Sequence, residues 1–198
     1  MDKDVLLKLL RRFTLNDDRR PWMNHPFISE GRCIATDGML LLSVPAFDHD
    51  NYPDHSEKIS TVYPMDWDAH WDIPFDGIVE ALRNHPEKDM VDCDACHGAG
   101  EVDYCFDHDD TSYYHTGDCP ICDGAGDKQQ EQDAFSFYGR VFYRSTLEGI
   151  SHIASATNDD KVVMRTSPTT NHCTFVIGEV ELLSLQATAR TKDSTVIC

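Results

Sequence analysis

Thiols carry the clearest chemistry in this chain. The octapeptide CDACHGAG begins at Cys93 and CPICDGAG begins at Cys119, so the pattern C-x-x-C-x-G-x-G is written twice, with 22 residues between the cysteine pairs. Each C-x-x-C can turn two thiolates toward one tetrahedral ion from a tight turn. The glycines behind it allow the positive φ and close backbone approach that such a knuckle needs. Two knuckles complete a four-thiolate site. Cys93, Cys96, Cys119 and Cys122 are therefore the expected ligands of one Zn2+ per chain, with Gly98, Gly100, Gly124 and Gly126 shaping the turns. Four thiolates leave no open coordination position, so the ion is expected to be structural and not catalytic. The same donor set also suits an iron–sulfur centre.

Other residues compete for a chemical role. Cys105, His108 and His115 lie between the knuckles, but their spacing is irregular and four thiolates already satisfy zinc. C-x-x-C is also the disulfide oxidoreductase motif, which needs a helix N-terminus to lower the attacking thiol's pKa. Here G-x-G in an acidic segment opposes a helix start. An upstream loop holds Asp48-His49-Asp50, Asp54-His55 and Trp67-Asp68-Ala69-His70-Trp71-Asp72. These types could bind a metal or run acid–base chemistry if His49, His55 or His70 converged in one pocket. The plainer expectation is an acidic loop with aromatic anchors, in which Trp67 and Trp71 could share one face of a helical turn. No G-x-S-x-G, P-loop, G-x-G-x-x-G or H-E-x-x-H is present, and the chain is expected not to be an enzyme.

Charge points to the same segment. The net charge of the 198-residue chain is −18, and residues 87–133 alone hold 14 acidic against 2 basic side chains. Such a segment repels a phosphate backbone, so no direct nucleic-acid binding is expected; a basic protein surface would be attracted. The N-terminus, MDKDVLLKLLRRF, has its apolar run broken by Lys8 and lacks the cleavage site of a signal peptide. No stretch approaches the roughly 20 apolar residues of a membrane span. A cytoplasmic protein is expected, and reduced thiols there favour metal over disulfides.

The elements that must position the knuckles follow from periodicity. Val5, Leu6, Leu9, Leu10 and Phe13 predict an amphipathic helix over 3–13. FISEGRCIAT and MLLLSVP read as two strands joined at Asp37-Gly38, a type I′ hairpin signal. Residues 46–72 read as a long irregular loop, and Phe75, Ile78, Val79 and Leu82 as a helix ending near Pro86. Beyond the cysteines, Phe135–Tyr143 reads as a strand, and Leu147, Ile150, Ile153 and Ala154 as a third helix. Lys161–Thr166 and Cys173–Ile177 read as strands around a turn. Glu179–Thr188 fits either period, and the tail after Arg190 is expected to be loosely held. The fold class is thus α+β: an antiparallel sheet with about three helices, formed by 1–86 and 134–198 as one discontinuous domain and interrupted by a zinc-stapled hairpin insertion over 87–133.

Two resemblances bear on this. Residues 93–126 resemble the cysteine-rich zinc domain of DnaJ-type co-chaperones, whose repeat is also C-x-x-C-x-G-x-G. That family carries four repeats forming two zinc sites, whereas this chain has two and lacks the His-Pro-Asp signature of a J domain. The resemblance implies a zinc-bound hairpin and does not carry co-chaperone activity. Ile34–Val44, with its Ala35-Thr36-Asp37-Gly38, resembles a hairpin of bacterial sliding clamps, and the surrounding order of elements is similar to one clamp domain, in which helices line one side of a curved antiparallel sheet. That resemblance implies a clamp-like fold. The function expected is a non-enzymatic binding protein whose acidic zinc module recognises a basic partner, in concrete form a phage or mobile-element inhibitor acting as a DNA mimic. A clamp-like DNA accessory factor using Lys8, Arg11 and Arg12, or an enzyme using the 48–72 loop, are the alternatives.

Overall fold

In the computed structural model, which describes residues 2–47, 52–60, 67, 69–85, 90–109, 111–129, 134–167, 170–185, 195 and 196, the first apolar periodicity becomes helix α1 (Lys3–Arg12). The Asp2 carboxylate caps it by accepting from the Asp4 N–H at 2.9 Å. Asp4 in the first turn and Arg11 and Arg12 in the last complement its dipole. Leu6, Leu9 and Leu10 form the buried stripe.

The next segment has three strands where two were expected: β1 (Phe27–Ser29), β2 (Arg32–Thr36) and β3 (Leu40–Pro45). FISEGRCIAT folds back on itself at Glu30-Gly31, whose φ values of 48° and 74° are the consecutive left-handed residues of a primed turn. At Asp37-Gly38 only the glycine has positive φ, at 92°. That turn is held instead by the Asp37 carboxylate, which accepts from the N–H groups of Met39 and Leu40 at 2.8 Å.

Residues 46–72, expected to be irregular, contain a short helix α2 (Ser56–Ile59) and the start of strand β4 (Ala69–Ile73). Ile59 anchors α2 in a cluster with Phe27, Ile34, Leu41 and Leu183, against which Trp22 and Trp67 pack. Trp71 belongs to β4 and stacks on Tyr138 at 5.6 Å, so the two tryptophans share no helical turn. Helix α3 (Phe75–Asn84) follows. Then come the four strands of the cysteine segment, β5 (Met90–Asp92), β6 (Glu101–His108), β7 (Thr111–Asp118) and β8 (Asp127–Gln129). The expected strand over 135–143 is a hairpin, β9 (Ala134–Phe137) and β10 (Arg140–Tyr143), turned by Tyr138-Gly139 at φ 46° and 76°. Helix α4 (Arg144–Thr157) leads to β11 (Val162–Thr166), β12 (His172–Ile177) and β13 (Val180–Leu185). In the tail, β14 (Thr195–Val196) pairs in parallel with β9, so those two residues are not loose.

The chain divides into two compact units, Met1–His85 with Asp133–Cys198, and Pro86–Gln132. The first is built on a seven-stranded sheet, β1-β2-β3-β13-β12-β11-β4, antiparallel at every step. Its register lines up one apolar row across six strands: Ala35 faces Leu42, Leu42 faces Leu182, Leu182 faces Phe175, Phe175 faces Met164, and Met164 faces Trp71. Helix α4 packs on β12 and β13, and α1 and α3 pack on α4. Leu147, Ile150 and Ile153 of α4 are fully buried in that core, beside a three-ring group of Phe137, Phe142 and Phe175. Among the described residues the architecture is α+β with a large antiparallel sheet and four α-helices, of which α2 is the short one.

Because Ile150 is fully buried, Ile150→Ala should cost about 2–5 kcal/mol of the first unit's stability, read as a lower urea midpoint. A loss under about 1 kcal/mol would show that α4 is not central to this core.

Candidate metal centre

The two cysteine knuckles form near-identical turns that clasp each other. In the second unit β5 pairs with β8 and β6 with β7, both antiparallel, and the knuckles lie between the two ladders. Within each knuckle the glycine two residues past the second cysteine donates its N–H to the first cysteine's carbonyl: Gly98 to Cys93 and Gly124 to Cys119, both at 3.2 Å. Between knuckles, Cys93 N–H donates to Gly126 O at 2.8 Å and Cys119 N–H donates to Gly100 O at 2.7 Å. This reciprocity is why the pattern is written twice. Each copy supplies the partner groups that the other needs.

The glycines are required by space as well as by φ. A Cβ on Gly100 would lie 2.5 Å from the Gly124 carbonyl oxygen, and one on Gly126 would lie 2.5 Å from that of Gly98. Both have positive φ, 78° and 83°. His97 and Asp123, the residues after the second cysteines, also adopt the left-handed region, at φ 52° and 54°. For residues with a Cβ that conformation carries strain of about 1–2 kcal/mol each, which the clasp sustains.

The four sulfurs converge. Cys93 Sγ lies 3.9 Å from Cys119 Sγ, and Cys96 Sγ lies 3.7 Å from Cys122 Sγ. All four lie within 4.8 Å of one another, and they form the one such donor cluster found among the described residues. A tetrahedral ion with metal–sulfur bonds of about 2.3 Å would hold its sulfurs roughly 3.8 Å apart, so the spacing fits a metal ion. It is far too long for disulfides, which bond at about 2.05 Å. Cys93, Cys96 and Cys119 are buried and Cys122 half-buried. The Gly100 and Gly126 N–H groups point at the sulfurs of Cys96 and Cys122, each at 3.3 Å, and so favour thiolates.

These thiols share protons. Burial raises the Cys119 thiol, but the backbone N–H groups of Ile121 and Cys122 and the neighbouring thiols outweigh it and bring the group down to about 7. Burial, with the thiols of Cys119, Cys96 and Cys93, pushes Cys122 up to about 11. One thiolate forms readily and the next is resisted, which a bound cation would reverse. At the rim Asp94 accepts from the Lys128 ammonium, which lowers the carboxyl and raises the amine.

Asp92 and Asp118, each just before a knuckle, went unread in the sequence. Their carboxyl groups lie over Gly98 and Gly124, where an added Cβ would sit 3.3 and 3.2 Å away. Aligning the copies as D-C-x-x-C-x-G-A-G shows both these acids and the shared alanines, Ala99 and Ala125.

The remaining candidates are dispersed. Cys105 and His115 stand on opposite faces of the β6–β7 hairpin, since Cys105 pairs with Tyr114 while His115 pairs with Tyr104. His108 lies 3.4 Å from the Asp109 carboxylate, with both side chains exposed. His49 lies outside the described residues. The His55 backbone N–H donates to the Ile28 carbonyl of β1 and its ring packs against Phe27 and Trp22, while His70 lies in β4 opposite Arg165. β1 and β4 are the two outer strands of the sheet, and the cavity beside His70 is lined by Trp67, Ala69, Val163 and Arg165, without His55. His55 and His70 therefore share no pocket.

Two sets of substitutions test the centre. Cys96→Ser or Cys122→Ser should abolish stoichiometric metal and unfold the second unit while the first unit melts unchanged; collapse of both would show that the ion supports the whole chain. Gly100→Ala, which keeps all four thiols, should weaken metal retention through steric clash and positive φ costing about 1–3 kcal/mol, read by metal release to a chromophoric chelator. In the unmutated chain and in Gly100→Ala alike, metal should be released on acidification, because every ligand must give up a proton to bind.

No protein-family model matches the chain. No curated protein matches it either. Solved structures do. The chain is similar to a protein described as a DNA polymerase III beta subunit from Eubacterium rectale, at 10% identity over 95% of this chain and 64% of that one, with a TM-score of 0.53. It is also similar to the DNA polymerase sliding clamp of Caulobacter crescentus, at 12% identity over 96% of this chain and 65% of that one, with a TM-score of 0.54. A second structure of the C. crescentus beta sliding clamp matches at 13% identity and a TM-score of 0.51, over 96% of this chain and 64% of that one. The chain thus spans less than two thirds of the length of the clamps it matches. At these identities the likeness is one of fold, and the fold of this chain is sliding-clamp-like.

Proposed function

We propose that this protein works by binding and not by catalysis: a clamp-like scaffold that carries one structural zinc ion, held by Cys93, Cys96, Cys119 and Cys122, and presents an acidic module to a protein partner with a basic surface. The observation that carries this reading is the state of the β6–β7 hairpin. Every residue of β6 and β7 is exposed except the half-buried Val102 and Gly117. The packed part of that unit is the cysteine cluster, joined by Val102. A segment with so little apolar burial cannot order itself, so a metal at its base supplies the folding free energy.

Zinc is favoured over iron–sulfur by the resemblance of the repeat to DnaJ-type zinc domains and by the closed, four-thiolate spacing. Four thiolates complete the coordination shell, so the ion's contribution is to hold the knuckles together. Asp103 and Asp107 then stand in solvent, met by the hydroxyls of Thr116 and Ser112, and Asp109 lies exposed beside His108. Charge of this kind steers a basic protein toward the module. A nucleic-acid mimic, such as a phage or mobile element uses against a basic host protein, is its concrete form, and the cytoplasm is its setting. No helix among the described residues is long and apolar enough to cross a membrane.

A second reading, a clamp-like accessory factor of DNA replication or repair, is favoured by the likeness of the fold to sliding clamps and by Lys8, Arg11 and Arg12, which are exposed on α1. The two readings separate in solution. With Asp103→Asn, Asp107→Asn and Asp109→Asn combined, affinity for a deca-lysine peptide at physiological salt should fall about tenfold and lose much of its salt dependence, while zinc content stays at one per chain. Unchanged affinity would remove the module from the binding surface. Retention of duplex DNA at low salt by a closed ring, seen in sedimentation, would instead establish the clamp reading.

A further inference from the structure

The β6–β7 hairpin has two chemically different faces. Strand alternation and register put Tyr104, Phe106 and His108 on one face with their partners His115, Tyr113 and Thr111. The other face carries Glu101, Asp103, Cys105 and Asp107 opposite Asp118, Thr116, Tyr114 and Ser112. Phe106 and Tyr113 stack nearly parallel, 14° apart with centroids 5.0 Å apart, yet Phe106 remains 61% exposed. On the same face the Tyr104 hydroxyl donates to the Asp118 carbonyl at 2.8 Å, which holds that ring over Gly117 toward the base of the hairpin. On the reverse face the carboxylates are held in place: Ser112 donates to Asp107 at 2.5 Å and Thr116 donates to Asp103 at 2.6 Å.

Exposed, ordered rings on a strand surface suit two kinds of ligand, stacked nucleic-acid bases or cationic side chains. Charge decides between them. Phosphates would meet the carboxylates of a segment with 14 acidic and 2 basic residues, whereas a guanidinium would be drawn to the same field and to the ring faces together. Arginine gains more than lysine here, because its plane stacks on rings and sheds water more easily.

We propose that the aromatic face, centred on Phe106 and Tyr113 with Tyr104 and His115 beside them, is the contact surface of the module and takes arginine side chains of an arginine-rich protein segment. This rests on the reading of the module as a binder of basic partners. The test is fluorescence anisotropy of labelled deca-arginine, deca-lysine and oligo(dT) with the zinc-loaded full chain at physiological salt. Deca-arginine should bind more tightly than deca-lysine. The double variants Phe106→Ala/Tyr113→Ala and Phe106→Leu/Tyr113→Leu should each lose about tenfold toward deca-arginine and level the two peptides, with zinc still at one per chain. Equal binding of both peptides that neither double variant changes would overturn the aromatic contact while leaving the acidic module standing. Full affinity in the leucine variant would overturn the arginine–ring contact in favour of plain apolar burial. Binding of neither peptide would overturn the underlying reading, and tighter binding of oligo(dT) would overturn both.

Discussion

Pairing between β3 and β13 is the constraint on which the body of this protein depends. It sets Leu40–Ser43 beside Glu181–Ser184 in antiparallel register and so joins the chain's first sheet strands to its last long ones. The apolar row from Ala35 to Trp71 becomes continuous at the Leu42–Leu182 step. Slipping that pair by one residue would turn Leu182 away from α4 and bring Leu183 in, exchanging the two faces of the strand. Arg32 reinforces the junction. Its guanidinium donates to the Ser43 hydroxyl at 2.6 Å, to the Ser43 carbonyl and to the Glu179 carbonyl at 3.0 Å, tying β2 and β3 to the β12–β13 turn.

That closure also explains how the body accommodates 47 residues between its two segments. His85 at the end of α3 and Phe135 in β9 stack edge to face at 5.7 Å, and the Arg144 guanidinium bonds the His85 carbonyl. The exit and re-entry points are thus neighbours within the body's own packing. A loop between fixed, adjacent ends costs little more as it lengthens. What such an insertion needs is its own means of ordering, and the twofold clasp of the knuckles with four converging sulfurs supplies it without an apolar core.

Legibility in the sequence followed the range of the interaction. The cysteine site was legible because its donors, spacing and glycines are local and chemically particular; even the unread Asp92 and Asp118 lie within the repeat. Helices α1, α3 and α4 were legible because a helix satisfies its backbone within itself and shows its buried stripe in a 3.6 period. Glu30-Gly31 and Tyr138-Gly139 are hidden in the sequence because strand-like residues run on either side of them, although each dipeptide supplies the paired positive φ of a two-residue turn. Asp37-Gly38 did mark a turn, but of a different kind, with the Asp37 carboxylate substituting for the second left-handed residue.

The sequence by itself determined the donor set, helices α1, α3 and α4, the acidic bias of the insertion and the α+β class, since each depends on residue type and near spacing. Only the tertiary structure decided the strand status of Ala69–Ile73 and Val180–Leu185, the separation of His55 from His70, and the two faces of the β6–β7 hairpin. Strands bond to partners distant in the chain, so a segment such as AHWDI becomes β4 because β11 offers it an edge. Likewise, Phe106 meets Tyr113 on one face while Asp103 and Asp107 share the other only when the register with the opposite strand is set.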